Sequence, residues 1–91
     1  MKILVVCGNG LGSSFMMSMN VQKAMKELNM EGTCSHTDLA SAKTENADYY
    51  IGAPEIMDQL NDGNRKIISL VNMFSMDEIK KALTTHVLEG R

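Results

Sequence analysis

Lys2-Ile3-Leu4-Val5-Val6-Cys7-Gly8-Asn9-Gly10-Leu11-Gly12-Ser13-Ser14 is the stretch from which the fold can be read. Its first half is an unbroken apolar, β-branched run, as expected of a strand buried on both faces. The glycines that follow belong to a loop rather than to either regular element. Ser13 or Ser14 is then placed to cap a helix. Phe15, Met16, Met19, Ala24, Met25 and Leu28 supply its apolar positions, and the stop falls between Asn29 and Gly32.

The same alternation continues outward. Thr33 to Thr37 reads as a second strand of unusually polar composition, and Ala40 to Asn46 as a short segment. Tyr49-Tyr50-Ile51 is a third strand, with Pro54 in the first turn of a helix reaching about Leu60. Asn61 to Asn64 forms a turn, and Lys66 to Val71 a fourth strand. In the last helix Ser75 and Glu78 have capping-box spacing, while Phe74 and Ile79 are set for a hydrophobic staple. That helix runs on through Leu83, Val87 and Leu88. Strand and helix alternating in this way predict an α/β fold, a three-layer α/β/α domain with a four-stranded parallel sheet. Such sheets bind ligands at the carboxyl ends of their strands, and Cys7 ends the first.

Composition narrows the function classes. The 91 residues suffice for one small domain, and 44% are apolar, as in globular chains. A net charge of -2 without a basic run leaves no electrostatic footprint for nucleic acid. No apolar stretch approaches a membrane span, and the first residues are too short for a signal peptide, so a cytoplasmic protein is expected. The two cysteines, Cys7 and Cys34, are expected about three residues out of step on neighbouring strands. That is about 10 Å, beyond the reach of a disulfide. Cys7 therefore reads as reactive and Cys34 as small buried filler. No histidine or cysteine pair has metal-ligand spacing, and neither a metal nor a cofactor is expected.

The loop carries the chemistry. Its glycines let successive backbone N–H groups converge on an anion, and the next helix adds its positive end. Both favour the thiolate of Cys7. The same donors, from Gly8, Asn9, Gly10, Leu11, Gly12, Ser13 and Ser14, suit the oxygens of a phosphoryl group. An inert core cysteine beside a tight turn would explain neither the two serines nor the placement of Cys7. A nucleotide P-loop needs Lys before Ser/Thr, and a dinucleotide site needs G-x-G-x-x-G; the loop has neither.

A low-molecular-weight tyrosine phosphatase or an arsenate reductase is the nearest competing reading. Those families share the early strand, cysteine loop and helix. The phosphatases, however, place an arginine six residues after the cysteine, where this chain has Ser13. They also draw a general acid from an Asp-Pro loop, whereas Pro54 follows Ala53. Without these groups hydrolysis is expected to be slow, and a phosphocysteine to persist until an acceptor arrives.

Val6 to Ser14, followed by a methionine-rich helix, resembles the IIB components of bacterial phosphoenolpyruvate-dependent sugar phosphotransferase systems, the ascorbate type above all. In length and element order the resemblance spans residues 1–91 as a single IIB-type domain. It implies the fold shared with low-molecular-weight tyrosine phosphatases. It also implies a protein-phosphohistidine–sugar phosphotransferase activity, with Cys7 as phosphoacceptor and Gly8 to Ser14 as phosphate cradle. The implied partners are a IIA component, whose phosphohistidine is the donor, and a membrane IIC component holding the sugar. No membrane insertion of the chain itself is implied.

Other residues read more plainly. His36 and Asp38 approach the Cys7 loop and read first as a strand-end residue and a loop cap; the competing reading is a proton relay or partner contact. His86 is expected to be solvated. The nine methionines read mostly as core, including at least two of Met16, Met17 and Met19. Leu11 is the stronger candidate for partner contact. A binding module without catalysis, for a flavin or a regulator, stands as a third reading.

Overall fold

In the computed structural model, which describes residues 1–7, 12–61, 63, 65–72 and 74–89, the first apolar run forms strand β1, Lys2–Cys7. Helix α1 is Gly12–Glu27, β2 is Thr33–Asp38, α2 is Leu39–Ala42 and β3 is Tyr49–Gly52. Then come α3, Pro54–Leu60, β4, Ile67–Ser69, and α4, Met76–Leu83, with Thr84–Glu89 continuing as a π-helical stretch. The four strands form one parallel sheet in the order β2-β1-β3-β4. The predicted α/β/α architecture is therefore present.

Strand order explains the composition of each strand. β1 lies inside the sheet, and Ile3 to Val6 are at most 1% exposed. Ile3 and Val5 face Val21, Ala24, Met25, Ile79 and Leu83 of α1 and α4. Leu4 and Val6 face Ala42, Met57 and Leu60 of α2 and α3. A strand covered on both sides has no polar face to display, hence the continuous run. β2 is an edge strand with exposed and half-buried positions, so its polar sequence fits its place.

Helix α1 departs from expectation. Its inward side carries Ser18, Val21, Ala24 and Met25, with Met17 and Leu28 partly buried against the same core. At about 100° per residue, Phe15, Met16 and Met19 fall on roughly the opposite side. They are 53%, 51% and 48% exposed, so the core assignment of Met16 and Met19 is corrected. Ser18 is buried because its hydroxyl donates to the Phe15 carbonyl at 2.8 Å within its own helix. The helix ends in a Schellman motif. Met30 N–H donates to Met25 O at 2.8 Å and Asn29 N–H to Lys26 O at 3.1 Å, with Asn29 at φ 57°.

Details at β4 and α4 also differ. β4 is shorter than the predicted 66–71, since Leu70 N–H makes a last bond to Gly52 O and Val71 is 85% exposed. Ser75 caps α4, accepting from Glu78 N–H at 3.2 Å. The reciprocal half of the capping box is replaced: Glu78 Oε2 accepts from Val71 and Asn72 N–H at 2.7 and 3.2 Å. Phe74 stays 59% exposed, so a staple with Ile79 buries little. Ser75→Ala is expected to cost about 1 kcal/mol in urea unfolding, the usual worth of an N-cap. Beyond Leu83 the winding widens, which keeps Val87 on the core and leaves Leu88 exposed. The predicted Asn61–Asn64 turn includes Asp62 and Asn64, outside the described residues; Gly63 between them has φ 87°.

Candidate functional site

The chain leaves β1 for β2 on one side and then returns to β3 on the other. That reversal makes the carboxyl ends of β1 and β3 the switch point, where such sheets open a crevice. Cys7 is the last residue of β1 and half-buried. Side chains alternate along a strand, so Cys7 shares the α1 side of the sheet with Ile3 and Val5.

Gly12, Ser13 and Ser14 form the first turn of α1. Neither serine therefore precedes the helix as its cap, a correction to the sequence reading; the helix already starts at Gly12. What the turn offers an anion is its backbone N–H groups, which lack partners within the helix, and the positive end of a 16-residue dipole. Gly8, Asn9, Gly10 and Leu11, the rest of the expected phosphate cradle, lie outside the described residues, as does the suggested partner contact of Leu11.

β2 brings Asp38 into register with Cys7, and His36 into register with Val5. Asp38 caps α2, its Oδ1 accepting from Ser41 N–H at 2.7 Å. That backbone bond, helped by the Ser41 side chain, holds the Asp38 carboxyl below the usual carboxylate range. The cap expected at the strand end is thus in place. The His36 ring meets Phe15 edge-on, with centroids 5.7 Å apart. His86 is exposed in the π-helical stretch.

Cys34 pairs with Ile3, four residues below Cys7 rather than three. This offset, about 13 Å along the strands, keeps the two sulfurs from bridging. The Cys34 thiol packs against the α1 core and burial pushes its pKa up to about 12. In an unfolded chain it ionises near 8.5. Stability owed to this shift is complete below about pH 8.5 and is lost as pH rises towards 12. The melting temperature of the native sequence is expected to drop across that interval more steeply than that of Cys34→Ala. Peptide mapping after alkylation near neutral pH should find Cys34 unmodified until the protein is unfolded.

The charges around this end are one-sided, which a linear reading did not reveal. Lys2 opens β1, Arg65 and Lys66 precede β4, and Lys23, Lys26, Lys80 and Lys81 lie in the later parts of α1 and α4. Lys80 pairs with Glu27 at the far end of α1. Lys43 follows α2, its carbonyl bonded by Arg65 Nη2 at 2.8 Å. Among the described residues, then, the cations gather towards the amino edge of the sheet, away from Cys7. Gly52 also escaped the sequence reading. It runs alongside Val6 so closely that a Cβ there would stand 2.6 Å from the Val6 carbonyl oxygen. The signal lay in Gly52-Ala53-Pro54, a run of small and rigid residues where β3 ends.

Comparison with known proteins agrees with this geometry. Residues 2–85 match the family described as "PTS system, Lactose/Cellobiose specific IIB subunit". The chain belongs to this family. An ascorbate-specific PTS system EIIB component of Mycoplasma pneumoniae is 30% identical over 87 residues, covering 92% of each chain. Proteins of the same description from Salmonella typhimurium and Escherichia coli O157:H7 are each 34% identical over 77 residues, which is 81% of this chain and 76% of theirs. Membership of the IIB family gives the chain a general role in sugar phosphotransfer. No helix among the described residues is long and apolar enough to cross a membrane.

Proposed function

We propose that this IIB chain is the cytoplasmic phosphoryl carrier of an ascorbate-type system, with Cys7 as the carrying residue. The observation behind this is the position of Cys7, at the strand switch point and just ahead of α1. In the first step the Cys7 thiolate attacks phosphorus on the phosphohistidine of IIA. The S–P bond forms, the N–P bond breaks, and the imidazole nitrogen recovers the electron pair. In the second, a hydroxyl of L-ascorbate held by membrane IIC attacks the same phosphorus. The O–P bond forms, the hydroxyl proton is released, and the thiolate leaves.

Gly8 to Ser14 cradle the phosphoryl oxygens with backbone N–H groups, aided by the α1 dipole. Ser13 stands where a phosphatase uses arginine, and the cations described above lie towards the opposite edge. Neutral donors hold the group without pressing it towards water, which favours a relay over a hydrolase. The test is intact-mass analysis after incubation with phosphoenolpyruvate, the general phosphotransferase proteins and IIA. A gain of one phosphoryl group, lost again on addition of IIC and ascorbate, is expected. No gain, or rapid steady-state release of phosphate from an aryl phosphate, would overturn the reading.

A further inference from the structure

The carboxyl end of the sheet is both apolar and acidic. Phe15, Met16 and Met19 make an exposed stripe on the first two turns of α1, facing away from the core. On the β4–α4 connection, Val71 and Phe74 are 85% and 59% exposed. These two groups lie at the amino-terminal ends of α1 and α4, which pack together on one face of the sheet, and apart from the edge contact of Phe15 with His36 they leave apolar surface in contact with water. Asp38 ends β2, Glu55 lies in the first turn of α3, and Asp77 and Glu78 lie in the first turn of α4. Lysine and arginine, as described above, sit towards the other edge.

We propose that this face docks onto the lysine- and arginine-rich cytoplasmic loops of the membrane sugar component, the apolar stripes packing at the centre of the contact and the carboxylates at its rim. The inference rests on the carrier reading. Charge complementarity selects this occupant. Short cytoplasmic loops of membrane proteins carry an excess of Lys and Arg, which an acidic rim attracts. The anionic lipid surface around them repels the same rim, so the protein, not the bilayer, is what the face fits. Phosphorylation adds about two negative charges to this end. The loaded chain therefore binds the loops more tightly than the spent one, and transfer itself weakens the complex.

The experiment follows both half-reactions separately, with inverted vesicles containing an ascorbate-type IIC component as the probe. For the native sequence, phosphoryl transfer to ascorbate at subsaturating chain concentration should fall at least about fivefold between low and high salt. Glu55→Lys with Asp77→Lys, both exposed positions, should lower the low-salt rate by a similar factor and remove most of the salt dependence. Phe74→Ser should lower transfer at every salt concentration without lowering the melting temperature. Transfer insensitive to salt and to charge reversal, in a chain that still gains phosphate from IIA, overturns the docking proposal alone. So does a charge effect confined to the IIA half-reaction, or binding to anionic lipid vesicles lacking IIC. Failure to gain phosphate at all overturns the carrier reading beneath it.

Discussion

Cys7→Ser is expected to abolish phosphoryl acceptance, with a rate loss of about 10³-fold or more, while leaving the fold in place. The exchange of sulfur for oxygen is nearly isosteric, and Cys7 is only half-buried at a strand end. Little packing is therefore lost, and thermal unfolding should change little. Reactivity changes much more. Even an unperturbed cysteine is a few per cent thiolate at neutral pH, whereas a serine hydroxyl has no comparable ionised fraction. Removal of a covalent nucleophile elsewhere costs rate factors of this order or larger. Intact-mass analysis with phosphorylated IIA reads the result directly. Cys34→Ala is the companion measurement: it should accept phosphate normally, since that thiol is half-buried against the α1 core, well away from the end of β1, and held protonated up to about pH 12. A phosphorylated serine variant, or loss of acceptance in Cys34→Ala, would remove Cys7 from its assigned role.

The linear chain reveals Cys7 more readily than its surroundings for a physical reason. β1, the glycines and the start of α1 are contiguous, so strand pattern and loop chemistry appear in one short stretch. The same holds for α3, where Pro54 marks the first turn, and for the Ser75 cap of α4. What remained hidden depends on direction or on neighbours. Phe15, Met16 and Met19 are apolar and lie on a helix, yet hydrophobicity alone does not say which side meets the sheet. Ser18 occupies the inward side because its hydroxyl is satisfied within the helix, an option that a polar residue does not advertise. The carboxylate of Glu78 has the spacing of a capping box but finds nearer donors on Val71 and Asn72. The acidity of the Cys7 end is a property of strand order. Asp38, Glu55 and Asp77 are far apart in sequence and meet at one edge only because every strand runs the same way.

Gly52 has the largest structural consequence among the residues that the linear chain concealed. Gly52→Ala is expected to destabilise the protein by about 2–3 kcal/mol, within the usual range for overpacking. For a domain of this size that lowers the melting temperature by roughly 10–20 °C. The cause is specific. The new methyl group would sit 2.6 Å from the Val6 carbonyl oxygen and 3.0 Å from Met57 Cε. A thioether can swing aside. A carbonyl in a central strand cannot, because β1 is hydrogen-bonded to β2 on one side and β3 on the other. Met57→Leu separates the two contacts, since it removes Cε while conserving volume. The alanine penalty should persist in that background. Rescue would show that Met57 was the obstacle and that β1 and β3 can part freely. Any part of the strain that is relieved by moving β1 moves the peptide immediately before Cys7, so the variant should also accept phosphate more slowly at temperatures where it remains folded. Full stability with normal acceptance would mean that the close approach of Gly52 to Val6 constrains neither the sheet nor the placement of the nucleophile.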